Sequence, residues 1–207
     1  MKGDIKLLCE KLEKEFDLIT DERKQLLSEI SQYVKSKIEQ QITPQLNVIC
    51  THNSRRSHIG QLWVLIAAEH YNIPGIKSFS GGTEATALNP RVVTAMKQVG
   101  FTIDADDLEK TNPLYSIKWS EDMEPELAFS KVYSHDPNPT ENFGAIMVCT
   151  SADEGCPIVK GADFRLALPF KDPKEFDDTP LENKAYVDKI SEIGREILYS
   201  LSLVNPS

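Results

Sequence analysis

The sequence predicts an α/β protein built on a parallel sheet with helices covering both faces. Three observations carry this expectation. Short apolar runs at Leu46–Cys50, Ile76–Ser80 and Phe143–Thr150 lack polar alternation and read as strands buried on both sides. Segments with helical apolar spacing follow the first two, over Ser57–Tyr71 and from Asn89-Pro90 to Val99. A last helix from about Leu181 to Leu203 aligns Tyr186, Ile190, Ile193, Ile197 and Leu201 on one stripe.

The elements follow in order. Ile5, Leu8, Leu12 and Phe16 recur at helical spacing, as do Leu26, Leu27, Ile30, Tyr33, Val34 and Ile38, with Thr20 or Asp21 as the second cap. They predict a helical hairpin over 1–43, serving as a packing appendage or dimer contact, ahead of a domain over 44–207. Cys9 lies on this hairpin and reads as a bystander. Gly81-Gly82 closes the second strand, and Gly100 stops the helix that Asn89-Pro90 opens. Residues 113–135 contain two alternating segments, Tyr115–Trp119 and Ala128–Tyr133, which predict an inserted β-hairpin.

Composition narrows the function classes. The chain has 207 residues, 40% hydrophobic and 27% charged, enough for one domain with a proper core. No apolar run reaches membrane-spanning length, and the N-terminal residues lack a secretory pattern, so a cytoplasmic protein is expected. A net charge of −9 with no basic stretch argues against nucleic-acid binding. The four cysteines fall in no Cys-x-x-Cys group. Catalytic or core roles are therefore expected rather than zinc ligation, and no cofactor is called for.

Cys50 ends the first strand and Ser57 begins the next helix, with Thr51, His52, Asn53, Ser54, Arg55 and Arg56 between them. Ligands of parallel α/β sheets bind beyond the carboxyl ends of the strands, where this loop falls. Its backbone N–H groups and the helix N-terminus suit an oxyanion, and the same field favours the thiolate of Cys50. Arg56 can hold two oxygens with its planar fork, and Ser57 can donate to the sulfur. The spacing alone is a weak signal; the strand-loop-helix context gives it weight. A general acid would come from an Asp-Pro pair, Asp136-Pro137 or Asp172-Pro173. Cys149 closes the third strand, and Cys156-Pro157 follows seven residues later across a polar stretch able to unwind. The two are either a redox pair or two unrelated cysteines.

Cys50-Thr-His-Asn-Ser-Arg-Arg-Ser57 resembles the phosphate-binding loop of the low-molecular-weight protein tyrosine phosphatases and of the thioredoxin-coupled arsenate reductases that share their fold. His52 replaces the usual glycine and Arg55 a second cysteine. Phe79-Ser-Gly-Gly-Thr-Glu84 and Asn89-Pro90 continue the resemblance, which covers about residues 45–203. It implies a three-layer α/β/α fold with a central four-stranded parallel sheet. It favours Asp172 as the acid and leaves Asp136 in a turn. Cys149-x6-Cys156-Pro157 is similar to the segment that distinguishes the reductases. The resemblance thus implies a relay from Cys50 to Cys149 to Cys156 that reduces arsenate, with thioredoxin as reductant. Some members hold potassium near the loop through the asparagine and a glutamate; Asn53 matches, but Gln61 stands at the glutamate position, so no metal is expected. His52, His58 and His135 read as surface or capping residues. Two rivals remain: a tyrosine phosphatase whose extra cysteines guard Cys50, and a binding module without turnover.

Overall fold

In the computed structural model, which describes residues 1–156 and 158–204, the chain forms a three-layer α/β/α sandwich. Its central sheet is parallel, with β1 (Gln45–Cys50) flanked by β2 (Lys77–Gly82) and β6 (Phe143–Met147), and β7 (Ala162–Ala167) beyond β6. The central position of β1 explains its composition. Every residue from Leu46 to Cys50 is buried, so nothing in that run can face water. The sequence reading had no particular segment for β7, because Asp163 and Arg165 interrupt its apolar run.

Helix α3 (Arg56–His70) returns from β1 and packs on α6 (Glu182–Ser202). The contact is close because Gly194 faces Trp63: a Cβ there would stand 2.4 Å from the indole. Helix α4 (Pro90–Gln98) starts on the Asn89 cap, whose side chain accepts from the Arg91 N–H, and stops at Gly100 with φ +112°. A short helix, α5 (Thr150–Gly155), spans the stretch between Cys149 and Cys156. Pro157, part of the resemblance, lies outside the described residues.

The N-terminal helices, α1 (Gly3–Glu13) and α2 (Asp21–Glu39), form as predicted, with Thr20 accepting from the Arg23 N–H at the second start. Each lies against α6 rather than pairing with the other. Ile5, Cys9, Leu12, Leu27, Ile30 and Val34 are buried within the chain, in the same apolar cluster as the sheet. Burial pushes the Cys9 thiol up to about 12, with nearby Glu13 adding to the effect, which leaves an inert core thiol.

The insertion differs in detail. Strands β4 (Tyr115–Lys118) and β5 (Glu126–Ala128) pair antiparallel, but β3 (Thr102–Ala105) adds a third strand on the other side of β4. The second hairpin strand thus lies earlier than Ala128–Tyr133. Residues 131–133 instead run beside the end of β2, where Gly82 N–H donates to the Lys131 carbonyl and Tyr133 N–H to the Gly82 carbonyl.

Candidate active site

The loop between β1 and α3 is held from outside by its carbonyls. Thr83 N–H donates to the Cys50 carbonyl at 3.1 Å, Glu84 N–H to Thr51 at 2.9 Å, and Asn89 N–H to Ser54 at 2.9 Å. Among the described residues, none of the backbone N–H groups of 51–55 donates to a protein acceptor. Satisfied carbonyls, together with N–H groups that no protein acceptor takes, suit the loop to hold an anion at the start of α3. Asn53 supports the turn with φ +45°, a left-handed conformation that Asn tolerates better than most residues. Gly82 lets the loop settle on β2, since a Cβ there would meet the Thr51 carbonyl at 2.6 Å and the Asn53 nitrogen at 2.8 Å.

Cys50 is buried at the floor of this loop, 3.0 Å from Ser57 Oγ. Ser57 Oγ accepts from Asn53 Nδ2 at 2.9 Å, which leaves the hydroxyl hydrogen for the sulfur. Arg56 is engaged: one terminal nitrogen donates to the Phe170 carbonyl at 2.7 Å and the other to Asp172 at 2.6 Å. The space lined by Cys50, Thr51, His52, Ser54, Arg55, Arg56 and Asp172 is about 10 Å³, roughly one water. Asp172 therefore closes the mouth by pairing with the arginine expected to bind the oxyanion. Its other oxygen accepts from the Lys174 N–H, capping a 3-10 turn over Pro173–Phe176.

Of the other loop residues, Arg55 lines the mouth, 3.9 Å from Asp172. Its Nε donates to the Tyr186 hydroxyl at 3.0 Å, and its guanidinium lies 3.6 Å from Asp177. His52 is exposed and lies 2.8 Å from Glu84. His58 is a correction to the sequence reading: it is a buried residue of the loop's underside. Its Nε2 hydrogen goes to the Asn53 carbonyl at 2.9 Å, and its Nδ1 accepts from Ser80 at 3.2 Å. Burial holds its pKa down to about 3, with the Lys131 charge adding to the effect, so the ring is neutral at physiological pH. His135 is exposed, bonded to the Asp136 carbonyl, and away from the loop; Asp136 stays in its turn.

Cys149 and Cys156 stand differently. Cys149 is buried, caps α5, and brings its sulfur within 3.3 Å of Thr51 Oγ1 on the loop itself. Cys156 closes the far end of α5, half-buried, with its thiol 3.5 Å from the Ile158 carbonyl. All four cysteines are free.

Sequence reasoning missed the residues beneath the loop. Ser130 Oγ donates to the His52 carbonyl at 2.9 Å, and Lys131 N–H donates to Asn53 Oδ1 at 2.9 Å. Lys131 is 4% exposed, and burial lowers its ammonium to about 8 against the pull of Glu126. Burial raises the Glu126 carboxyl, although Lys131 and a 2.7 Å bond from Gln61 oppose the shift. These residues do not fit a bound potassium ion: the Asn53 oxygen is taken by a backbone donor, and Gln61 turns its amide nitrogen to Glu126. Among the described residues no cluster of three or more metal-ligating side chains occurs.

No protein-family model matches the chain. Two curated proteins similar to it over most of their length are arsenate reductases. That of Bacillus licheniformis is 26% identical over 152 residues and that of Bacillus subtilis 27% over 151, each covering 72% of this chain and 88% of the relative. Among solved structures, a YwlE mutant from Bacillus subtilis matches with a TM-score of 0.52 and 11% identity, over 78% of this chain and 98% of the other. The chain shares the three-layer fold of the low-molecular-weight phosphatases. In this chain residues 1–44 precede the strand bearing the loop, and β3–β5 lie between α4 and β6.

Proposed function

We propose that the protein reduces arsenate to arsenite by a cysteine relay, in the cytoplasm, with a thioredoxin-type dithiol as final reductant. The observation that supports this most is Cys149, whose sulfur lies against the oxyanion loop headed by Cys50. Ester hydrolysis needs one thiol in such a loop; a two-electron reduction needs a second within reach. The likeness to curated arsenate reductases supports the same choice.

In this reading the arsenate oxygens replace Asp172 at Arg56 and meet the N–H groups of the loop. The Cys50 thiolate forms an S–As bond; Asp172, freed from Arg56, takes up a proton from solvent and passes it to the departing hydroxyl, which leaves as water. The Cys149 thiolate then attacks Cys50 Sγ. The electron pair of the S–As bond stays on arsenic, arsenite leaves, and a Cys50–Cys149 disulfide remains. Cys156 attacks Cys149, freeing Cys50 and moving the disulfide to Cys149–Cys156, from which an external dithiol takes it. Four free cysteines accord with a reducing compartment.

The test is arsenate-dependent NADPH consumption with thioredoxin and thioredoxin reductase, compared between the natural chain and Cys149→Ser. The variant should lose steady-state turnover; full turnover without Cys149 sinks the relay. A phosphatase is the second reading, favoured by the loop, Arg56 and Asp172, which suffice for a phosphocysteine intermediate. Fast aryl phosphate hydrolysis without arsenate turnover would establish it.

A further inference from the structure

The insertion β3–β5 has no part in the chemistry just described, yet its exit strand ends beneath the oxyanion loop. Ser130 is 2% exposed, and each of its polar atoms is committed. Its hydroxyl donates to the His52 carbonyl at 2.9 Å and accepts from the Thr86 N–H at 2.8 Å. Its backbone is gripped from both sides by one side chain: Ser130 N–H donates to Asn112 Oδ1 at 3.1 Å, and Asn112 Nδ2 donates to the Ser130 carbonyl at 2.8 Å. The next residue, Lys131, donates its N–H to Asn53 Oδ1, which turns Asn53 Nδ2 toward Ser57 and so toward Cys50.

We propose that the insertion is a clamp on the oxyanion loop, in which Asn112 and Ser130 are positioning residues that fix the loop's N–H groups and the Asn53–Ser57–Cys50 chain. The clamp acts at two successive loop residues, once on the main chain of His52 and once on the side chain of Asn53. Loss of the Ser130 hydroxyl leaves the His52 carbonyl and the Thr86 N–H without their partner, and the peptide between His52 and Asn53 is free to turn. Loss of the Asn112 amide releases the Ser130 backbone and, with it, the Lys131 N–H on Asn53. Both changes reach Cys50 through the loop, since neither Asn112 nor Ser130 contacts the sulfur.

The catalytic part of this inference rests on the reading of Cys50 as nucleophile, so the test includes a measurement independent of turnover. Ser130→Ala and Asn112→Ala are made singly and together in the full chain. Iodoacetate alkylation of Cys50 is followed against pH, with and without inorganic phosphate, and arsenate reduction is assayed in parallel. Each variant should move the alkylation profile to higher pH and weaken phosphate protection about tenfold. Arsenate kcat/KM should fall roughly 10- to 100-fold, chiefly in kcat. The double variant should be worse than either single one but by less than the product of the two effects, because the two contacts are released separately yet both run through Ser130. An unchanged alkylation profile with undiminished phosphate protection overturns the clamp, even if the melting temperature drops. Absence of arsenate turnover in the natural chain would strike the proposed function instead, and the alkylation measurements would still judge the clamp.

Discussion

Arg165→Met offers a quantitative check on the relay, because Arg165 holds the helix that separates its last two sulfurs. Cys149 and Cys156 bracket α5. At about 1.5 Å of rise per residue, their seven-residue separation sets the Cα atoms roughly 10 Å apart. A disulfide accepts at most about 7 Å, so the final transfer requires α5 to unwind. One guanidinium nitrogen of Arg165 opposes this: it lies 2.5 Å from Asp153 Oδ1, 2.9 Å from the Asp153 carbonyl and 3.1 Å from the Cys156 carbonyl. Both charged side chains are about a quarter to a third exposed, which holds the ion pair below about 1 kcal/mol. Two hydrogens shared among three acceptors add about another 0.5–1 kcal/mol. Methionine keeps an apolar stem while discarding about 1.5 kcal/mol, which corresponds to roughly a tenfold gain in the open population. Hydrogen exchange over 150–156 should accelerate by that factor. After one arsenate turnover without reductant, mass mapping should find the Cys149–Cys156 disulfide forming about tenfold faster at the expense of Cys50–Cys149. Equal or slower transfer, with exchange accelerated, would show that unwinding is not what limits the step.

Two further outcomes follow from the site. Asp172→Asn should lower arsenate kcat by roughly 10²- to 10⁴-fold, since the amide has no proton to give. It should strengthen phosphate protection of Cys50, since Arg56 loses its carboxylate rival; kinetics and alkylation together check these opposite changes. Lys131→Met should raise stability at pH 7 by up to about 3 kcal/mol, the cost of holding the ammonium at about 8 rather than 10.5. In the natural chain that cost is present in full below pH 8. It fades as pH rises toward 10.5, because the unfolded chain holds the proton longer. Urea titrations between pH 7 and 10.5 should show the natural chain gaining stability from this group and the variant lacking that gain.

The parts of the molecule legible in the sequence are those in which one short segment sets its own geometry. β1 must be central because it has no polar face, α4 begins where Asn89 caps it, and the loop from Cys50 to Ser57 is bounded by its own strand and helix. What escaped depends on distant segments meeting. His58 looks like a surface residue at the start of a helix until Ser80 and the Asn53 carbonyl close around its ring. Ser130 sits in the alternating run read as a hairpin strand and Asn112 just before the hairpin, and neither carries a signal of its own, because their role comes from where the insertion ends. Arg55 does line the mouth, but the groups that anchor it, Tyr186 and Asp177, lie more than a hundred residues on. β7 was lost for a related reason: Asp163 pairs with Lys37 and Tyr33 of α2, and Arg165 with α5, so its charges are accounted for only in the fold.

The Arg56–Asp172 pair makes admission to the site an exchange of one anion for another. A visitor with weak charge leaves the carboxylate where it is and finds space for little more than a water. In the proposed reaction, a dianion that captures the guanidinium frees the Asp172 carboxylate to take up the proton that the departing oxygen needs. On that reading, occupancy of the loop and readiness to react become one event.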